Sequence, residues 1–197
     1  MKIGYQLKPI NMIAIYVILA LVVILILWMI SLYNRLVRLR NNRENAFADI
    51  DVQLRMRHDL IPQLVEAVRG YMKHESSVLQ NVTEARANAV KATTINDKIQ
   101  AEQQLSTALR GLNVAVEAYP DLKASTNFMQ LQQEIADVEN KLAAARRFFN
   151  SATKELNVAV EVFPSNIVAN MYGFKKEMMF DLGEDRKEME IPPEIKF

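Results

Sequence analysis

Between Pro9 and Asn34 the chain carries no charged side chain, and the centre of that stretch reads IAIYVILALVVILILWMI. At about 1.5 Å per residue, the 25 residues from Ile10 to Asn34 reach about 37 Å as a helix, more than the roughly 30 Å of bilayer hydrocarbon. Fifteen of them are Leu, Ile or Val, each worth about −0.3 to −0.6 kcal/mol near the bilayer centre. Insertion is therefore favoured by several kcal/mol. The polar residues that oppose it, Asn11, Ser31 and Asn34, stand near the ends. Uninterrupted apolarity of this length leaves no wet face for a soluble core helix. It also exceeds the roughly 7 to 15 apolar residues of a cleaved signal peptide, and no small-residue cleavage site follows Trp28. With no Cys in the chain, lipoprotein acylation is excluded. The expectation is a short tail over 1–9 and a retained span over 10–34, with the bilayer as the first partner.

Basic residues orient such a span. Lys2 and Lys8 precede it, whereas Arg35, Arg38, Arg40 and Arg43 follow, with Arg55 and Arg57 beyond. This bias places the N-terminus outside and the C-terminal part in the cytoplasm. Arg35, Arg38, Arg40 and Arg43 are the membrane-interface candidates, set to meet anionic headgroups; solvation of an exposed helix face would satisfy them equally. The residues after the span suffice for one ordinary domain. A net charge of +1 carries no nucleic-acid footprint.

Gly and Pro number five and six in the chain, and Ala, Leu, Glu, Gln and Arg dominate residues 35–163, a composition that disfavours sheet. The clearest periodicity runs Phe128, Leu131, Ile135, Val138, Leu142, Ala145, Phe149, Ala152, Leu156, Ala159, Phe163, alternating steps of three and four. It predicts one helix of about 38 residues, close to 57 Å, with a coiled-coil-like stripe that packs within the chain or between chains. Phe47, Ile50, Leu54, Ile61, Val65 and Val68 carry a similar stripe with no turn signal separating it from the span, so span and first soluble helix read as continuous. Pro62 predicts a kink there, in preference to a new helix capped by Asp59. Gly70 and Gly111 suggest close helix crossings. Further helices are expected at about 74–92 and 98–119, the polar residues 93–97 forming a turn and Pro120 a stop. Short connections imply antiparallel neighbours. The fold class is thus all-α: a transmembrane helix continuing into an elongated antiparallel helical bundle over 35–164. The tail, 165–197, is less regular and is expected to pack partly on the bundle. A hexapeptide, LNVAVE, occurs at Leu112–Glu117 and again at Leu156–Glu161, each followed by an aromatic residue and Pro.

No reactive constellation emerges. The histidines are His58 and His74, preceded at three residues by Arg55 and Tyr71, so the Glu-x-x-His pairs of di-iron bundles are missing. P-loop, HExxH, GxGxxG and GxSxG motifs do not occur. Each His reads as solvated or capping, and Glu134, Asp137 and Glu139 as a wet helix face. No cofactor, metal or catalytic residue is expected.

Four blocks of the sequence, Tyr33–Val68, His74–Val90, Tyr119–Asn150 and Phe163–Phe174, closely resemble the LemA family, in the family's order and over nearly the whole soluble part. The resemblance implies a bacterial single-span protein of the cytoplasmic (inner) membrane, with a short outer tail, a helical-bundle domain and no established enzymatic activity. Phe47 stands where the family usually has Trp, and Leu156 where an aromatic is common; both keep the position apolar. The function expected is a non-enzymatic membrane-anchored scaffold that self-associates as a homo-oligomer, organises membrane partners, or does both. The alternative is an adaptor or regulator of another membrane protein, such as a protease or envelope-stress component. The apolar tail makes Phe174 and Phe180 the candidate partner contacts.

Overall fold

The computed structural model describes residues 9–72 and 74–181, with backbone alone for residues 9–11. They form six helices and no strand: α1 (Pro9–Arg69), α2 (Ser76–Lys91), α3 (Ile95–Val116), α4 (Pro120–Lys123), α5 (Thr126–Glu161) and α6 (Ser165–Met171). The described residues divide into two compact units, one of residues 9–42 and 155–177, the other of residues 43–72, 74–154 and 178–181.

In the first unit, the N-terminal part of α1 is exposed from Met12 through Leu27. Among the described residues, α1 alone is long and apolar enough to cross a membrane. Past the apolar stretch, Leu36 joins Ala159 of α5 and Val168 and Ala169 of α6 in a small core. Tyr33 faces the Tyr172 ring at 4.6 Å and the edge of Phe174 at 6.1 Å. A Schellman motif ends α6: Phe174 N donates to Ala169 O at 2.9 Å, and Gly173 takes a φ of 73° that an L side chain would resist. From there the backbone is extended, held by Asn157, whose amide donates to Glu177 O at 2.9 Å while its Oδ1 accepts from Glu177 N at 2.8 Å.

The second unit packs α1 from Arg43 onward with α2, α3, α4 and most of α5. One apolar cluster is built around Ile61, Leu64, Val68, Leu105, Leu112 and Phe128. Another holds Phe47, Ile50, Leu54, Ile99, Leu142, Phe149 and Phe180. Thr94 caps α3, accepting from Asp97 N at 3.1 Å. Asn150 receives Phe180 N at 2.7 Å and donates to Phe180 O at 2.9 Å, so both units hold an extended segment on an asparagine of α5.

Several expectations change. The α5 stripe is buried or half-buried from Phe128 to Ala159, closed by neighbours in the same chain, while Phe163 lies beyond the helix and is exposed. Pro120 does not stop α3, which ends at Val116; it starts α4 at the position where its missing N–H is harmless. Neither Gly70 nor Gly111 marks a close crossing, since a Cβ at either would meet nothing within 4 Å. Gly70 simply follows the last turn of α1. As expected, that helix continues through Pro62, and no new helix starts at Asp59.

Candidate functional site

In the second unit the apolar stripe of α1 steps from Leu54 to Ile61 through Arg57, and that of α3 steps from Ile99 to Leu105 through Glu102. Arg57 and Glu102 thereby face the interior in the layer between the two apolar clusters, 3% and 1% exposed. Arg57 Nη1 donates to Glu102 Oε2 at 3.0 Å, and its Nη2 donates to Ser106 Oγ at 3.0 Å. Arg57 Nε lies 2.8 Å from Glu139 Oε1 with its N–H turned away, an electrostatic contact without a directed hydrogen bond. The other oxygen of Glu102 pairs with His58 Nε2. A buried guanidinium is thus set against two carboxylates, the arrangement that buried charge requires.

Pro62 completes the layer indirectly. Its missing N–H leaves the carbonyl four residues back, that of His58, without an intrahelical donor. Arg86 of α2 supplies one, Nε donating to His58 O at 2.7 Å. Beside it Lys98 pairs with Asp51, which also receives Arg55 Nη2 at 2.8 Å. Burial pushes the Asp51 carboxyl up, but the hydrogen bonds and charges of Lys98 and Arg55 outweigh it and hold the group below its ordinary 3.8.

Two clefts flank the Arg57–Glu102 pair. One, of about 340 Å³, is lined by His58, Glu102, Arg86, Asp51 and Lys98. The other, of about 330 Å³, is lined by Arg57, Ser106, Glu139, Asn140 and Arg146 among others. The Ser106 hydroxyl accepts from Arg57, and the acid of the layer is held by Arg57 and His58. The groups neutralise one another and leave no nucleophile set beside a base. Among the described residues, no three of His, Asp and Glu converge as a metal-ligand set.

Of the interface candidates, Arg35, Arg38 and Arg40 are exposed in the first unit, Arg40 lying over the Phe174 ring at 5.4 Å. Arg43 corrects the expectation. It is 4% exposed in the second unit, stacked over Phe149 at 4.9 Å and donating to Met178 O at 3.3 Å, so it serves the interior and is closed to headgroups. Phe174 is half-buried against Tyr33. Phe180 is buried beside Phe47, ring centroids 6.5 Å apart, and is closed to a partner because Asn150 ties its backbone down. His58 is a buried member of the polar layer and not a solvated or capping residue, whereas His74 is exposed. Glu134 and Asp137 lie on a wet face, while Glu139 turns to Arg57. Arg57, Glu102 and Arg86 escaped the sequence reading. The first two were detectable as charges in register with apolar stripes, and Arg86 as a possible donor for the carbonyl that Pro62 strands.

A family profile described as the LemA family matches residues 46–197. The chain is 28% identical over 155 residues to "Protein LemA" of Metamycoplasma hominis, covering 77% of this chain and 69% of that protein. It is 22% identical over 174 residues to the magnetosome protein MamQ of Magnetospirillum gryphiswaldense, covering 75% and 64% of the two chains. A second magnetosome protein, MamQ 2 of Paramagnetospirillum magneticum, is 21% identical over 185 residues, with 81% and 68% covered. The chain thus spans about two thirds of the length of these relatives. With a profile match that starts at Phe47's neighbour Ala46 and takes in the whole polar layer, this chain belongs to the LemA family.

Proposed function

We propose that this protein is a non-enzymatic, membrane-anchored scaffold that holds membrane partners, including further copies of itself, at the bilayer surface. The observation that carries the reading is the surface of the first unit. There Phe163, Ile167, Met171 and Tyr172 are all exposed around α6, and Tyr172 stacks on Tyr33 at the end of the apolar stretch. Exposed Arg35, Arg38, Lys175 and Lys176 belong to the same unit. Apolar and aromatic side chains beside basic ones, next to a span, form the pattern of a segment lying in the headgroup region. The unit would then hold the membrane twice, by crossing it and by resting on it. Linked copies would turn weak lipid contacts into a stable patch. The mutually neutralised polar layer supports a structural role over a catalytic one, and the membrane reading agrees with the family. We place the protein in the cytoplasmic membrane with the N-terminus outside.

The full chain is reconstituted in nanodiscs and examined by native mass spectrometry with lipid retained, together with crosslinking from Tyr172. Oligomers and self-adducts are expected. A chain that stays monomeric at every concentration overturns self-association, and adducts with one foreign membrane protein would make it an adaptor. Because the chain has no Cys, single cysteines introduced as Gln6→Cys and Thr107→Cys report topology through an impermeant maleimide. Labelling of Thr107→Cys in intact cells would reverse the orientation.

A further inference from the structure

The 330 Å³ cleft of the second unit contains a charge that none of the described residues answers. Arg146 of α5 lines it and is 9% exposed, and its Nε is buried without a hydrogen-bond partner. No ion pair or hydrogen bond to Arg146 exists among the described residues. The nearby acids are committed elsewhere, Glu102 to Arg57 and His58, and Glu139 to Arg57. Also facing the cleft are a second cation, Arg110, which donates to Thr107 Oγ1 at 3.3 Å, and the amides of Asn113, Gln132 and Asn140.

Arginine cannot shed its proton to escape burial. A desolvated guanidinium therefore costs free energy until an anion reaches it. Its planar fork matches the two oxygens of a carboxylate or phosphate, and flanking amides can donate to the remaining oxygens. A volume of about 330 Å³ is at the small end of ligand sites.

We infer that this cleft binds a small soluble oxyanion, a carboxylate or phosphate compound, with Arg146 as its principal contact and Asn140 and Gln132 as secondary donors. The site is independent of the scaffold reading, since it lies in the bundle and involves neither the span nor α6. Occupancy would relieve the unpaired charge, so the bundle becomes more stable when the anion is present.

The test uses the full chain in nanodiscs of zwitterionic lipid, titrated with inorganic phosphate and separately with citrate, against NaCl at matched ionic strength. Thermal unfolding and calorimetry are the readouts. Saturable stabilisation by phosphate or citrate is expected, with affinity reduced at least tenfold in Arg146→Gln. Without anion, Arg146→Gln should unfold above the wild type, because it removes the unanswered charge. Arg146→Lys should keep part of the response, and Lys154→Gln, at an exposed position of α5, all of it. A wild type that responds only as it does to NaCl, or a response that survives in Arg146→Gln, overturns the proposal. So does a response to anionic-lipid nanodiscs alone, which would assign the charge to a headgroup. So too does anion binding that appears only when Glu184, Asp185, Glu188, Glu190 and Glu194 are changed to Gln, which would make the natural counter-ion part of the chain itself.

Discussion

Replacing Arg86 by Met should cost stability only while Pro62 is present. The guanidinium reaches His58 O at 2.7 Å, the acceptor that an N–H at position 62 would otherwise occupy. A hydrogen bond from a charged donor contributes about 1.5–3 kcal/mol, and a buried acceptor left alone costs about 1–3 kcal/mol. Because Arg86 is only half-buried, about 1.5 kcal/mol is the expected loss for Arg86→Met. In a Pro62→Ala background the restored backbone N–H satisfies the same carbonyl, so the second substitution should cost about 0.5 kcal/mol or less, a coupling of about 1 kcal/mol. Pro62→Ala alone should stabilise, since the ring no longer crowds that carbonyl. Urea unfolding of the four full-length proteins in detergent, followed by circular dichroism, gives the cycle. Equal costs of Arg86→Met in the two backgrounds would refute the link, and Arg86 would then act only through its packing.

Other substitutions probe the same layers. Glu102→Gln should destabilise by about 3 kcal/mol, whereas the paired change Arg57→Met with Glu102→Leu should recover most of that loss in denaturant titrations. Arg43→Gln should lower stability by about 1–3 kcal/mol and leave vesicle flotation unchanged, since its partners Met178 O and the Phe149 ring are internal. Asp51 has a depressed folded pKa, so its stabilising share is present at neutral pH and is lost as pH falls below 3.8 through the folded value. The stability difference between wild type and Asp51→Asn should accordingly shrink as pH falls below 3.8. Gly111→Ala, in an exposed interior position of α3 where a Cβ meets nothing within 4 Å, should raise stability by about 0.5–1 kcal/mol.

The long helices α1, α2, α3 and α5 were legible because each carries a stripe with steps of three and four, and burial follows those stripes closely: Phe47, Ile50, Leu54, Ile61, Val65 and Val68 are all buried. The short α4 and α6 have no such stripe and were read as a stop and a less regular tail. What periodicity cannot say is which partner a buried charge will meet. Arg57 fills the gap between Leu54 and Ile61, yet its acid lies 45 residues away on α3. Arg43 looked like an interface residue because it follows Arg35, Arg38 and Arg40 in sequence, but it shares a helix face with Ala46, Phe47 and Ile50. Phe180 was misread for the opposite reason. A segment without helical period suggested an exposed tail, while hydrogen bonds from Asn150 and Gln103 to the backbone at Phe180 and Asp181 hold it in place.

The LNVAVE repeat separates what a helix decides from what its surroundings decide. Leu112 and Leu156 are buried, Val114 and Val158 exposed, in both copies. Past the repeats the two ends part. Pro120 opens α4, which carries Leu122 into the core, and Tyr119 is half-buried with its hydroxyl bonded to Glu75, a bond that holds its pKa above the ordinary 10.0. Pro164 instead leads to Ser165, whose hydroxyl donates to Ala159 O and Val162 O, and Phe163 is left 79% exposed. A phenyl ring has no hydroxyl to profit from that exposure. With about 200 Å² of apolar surface at about 25 cal/mol per Å², leaving it in water forgoes about 4 kcal/mol. The same ring set in a headgroup layer would recover much of that, so the proposed membrane-surface role would give Phe163 the apolar surroundings that half-buried Tyr119 already finds within the fold.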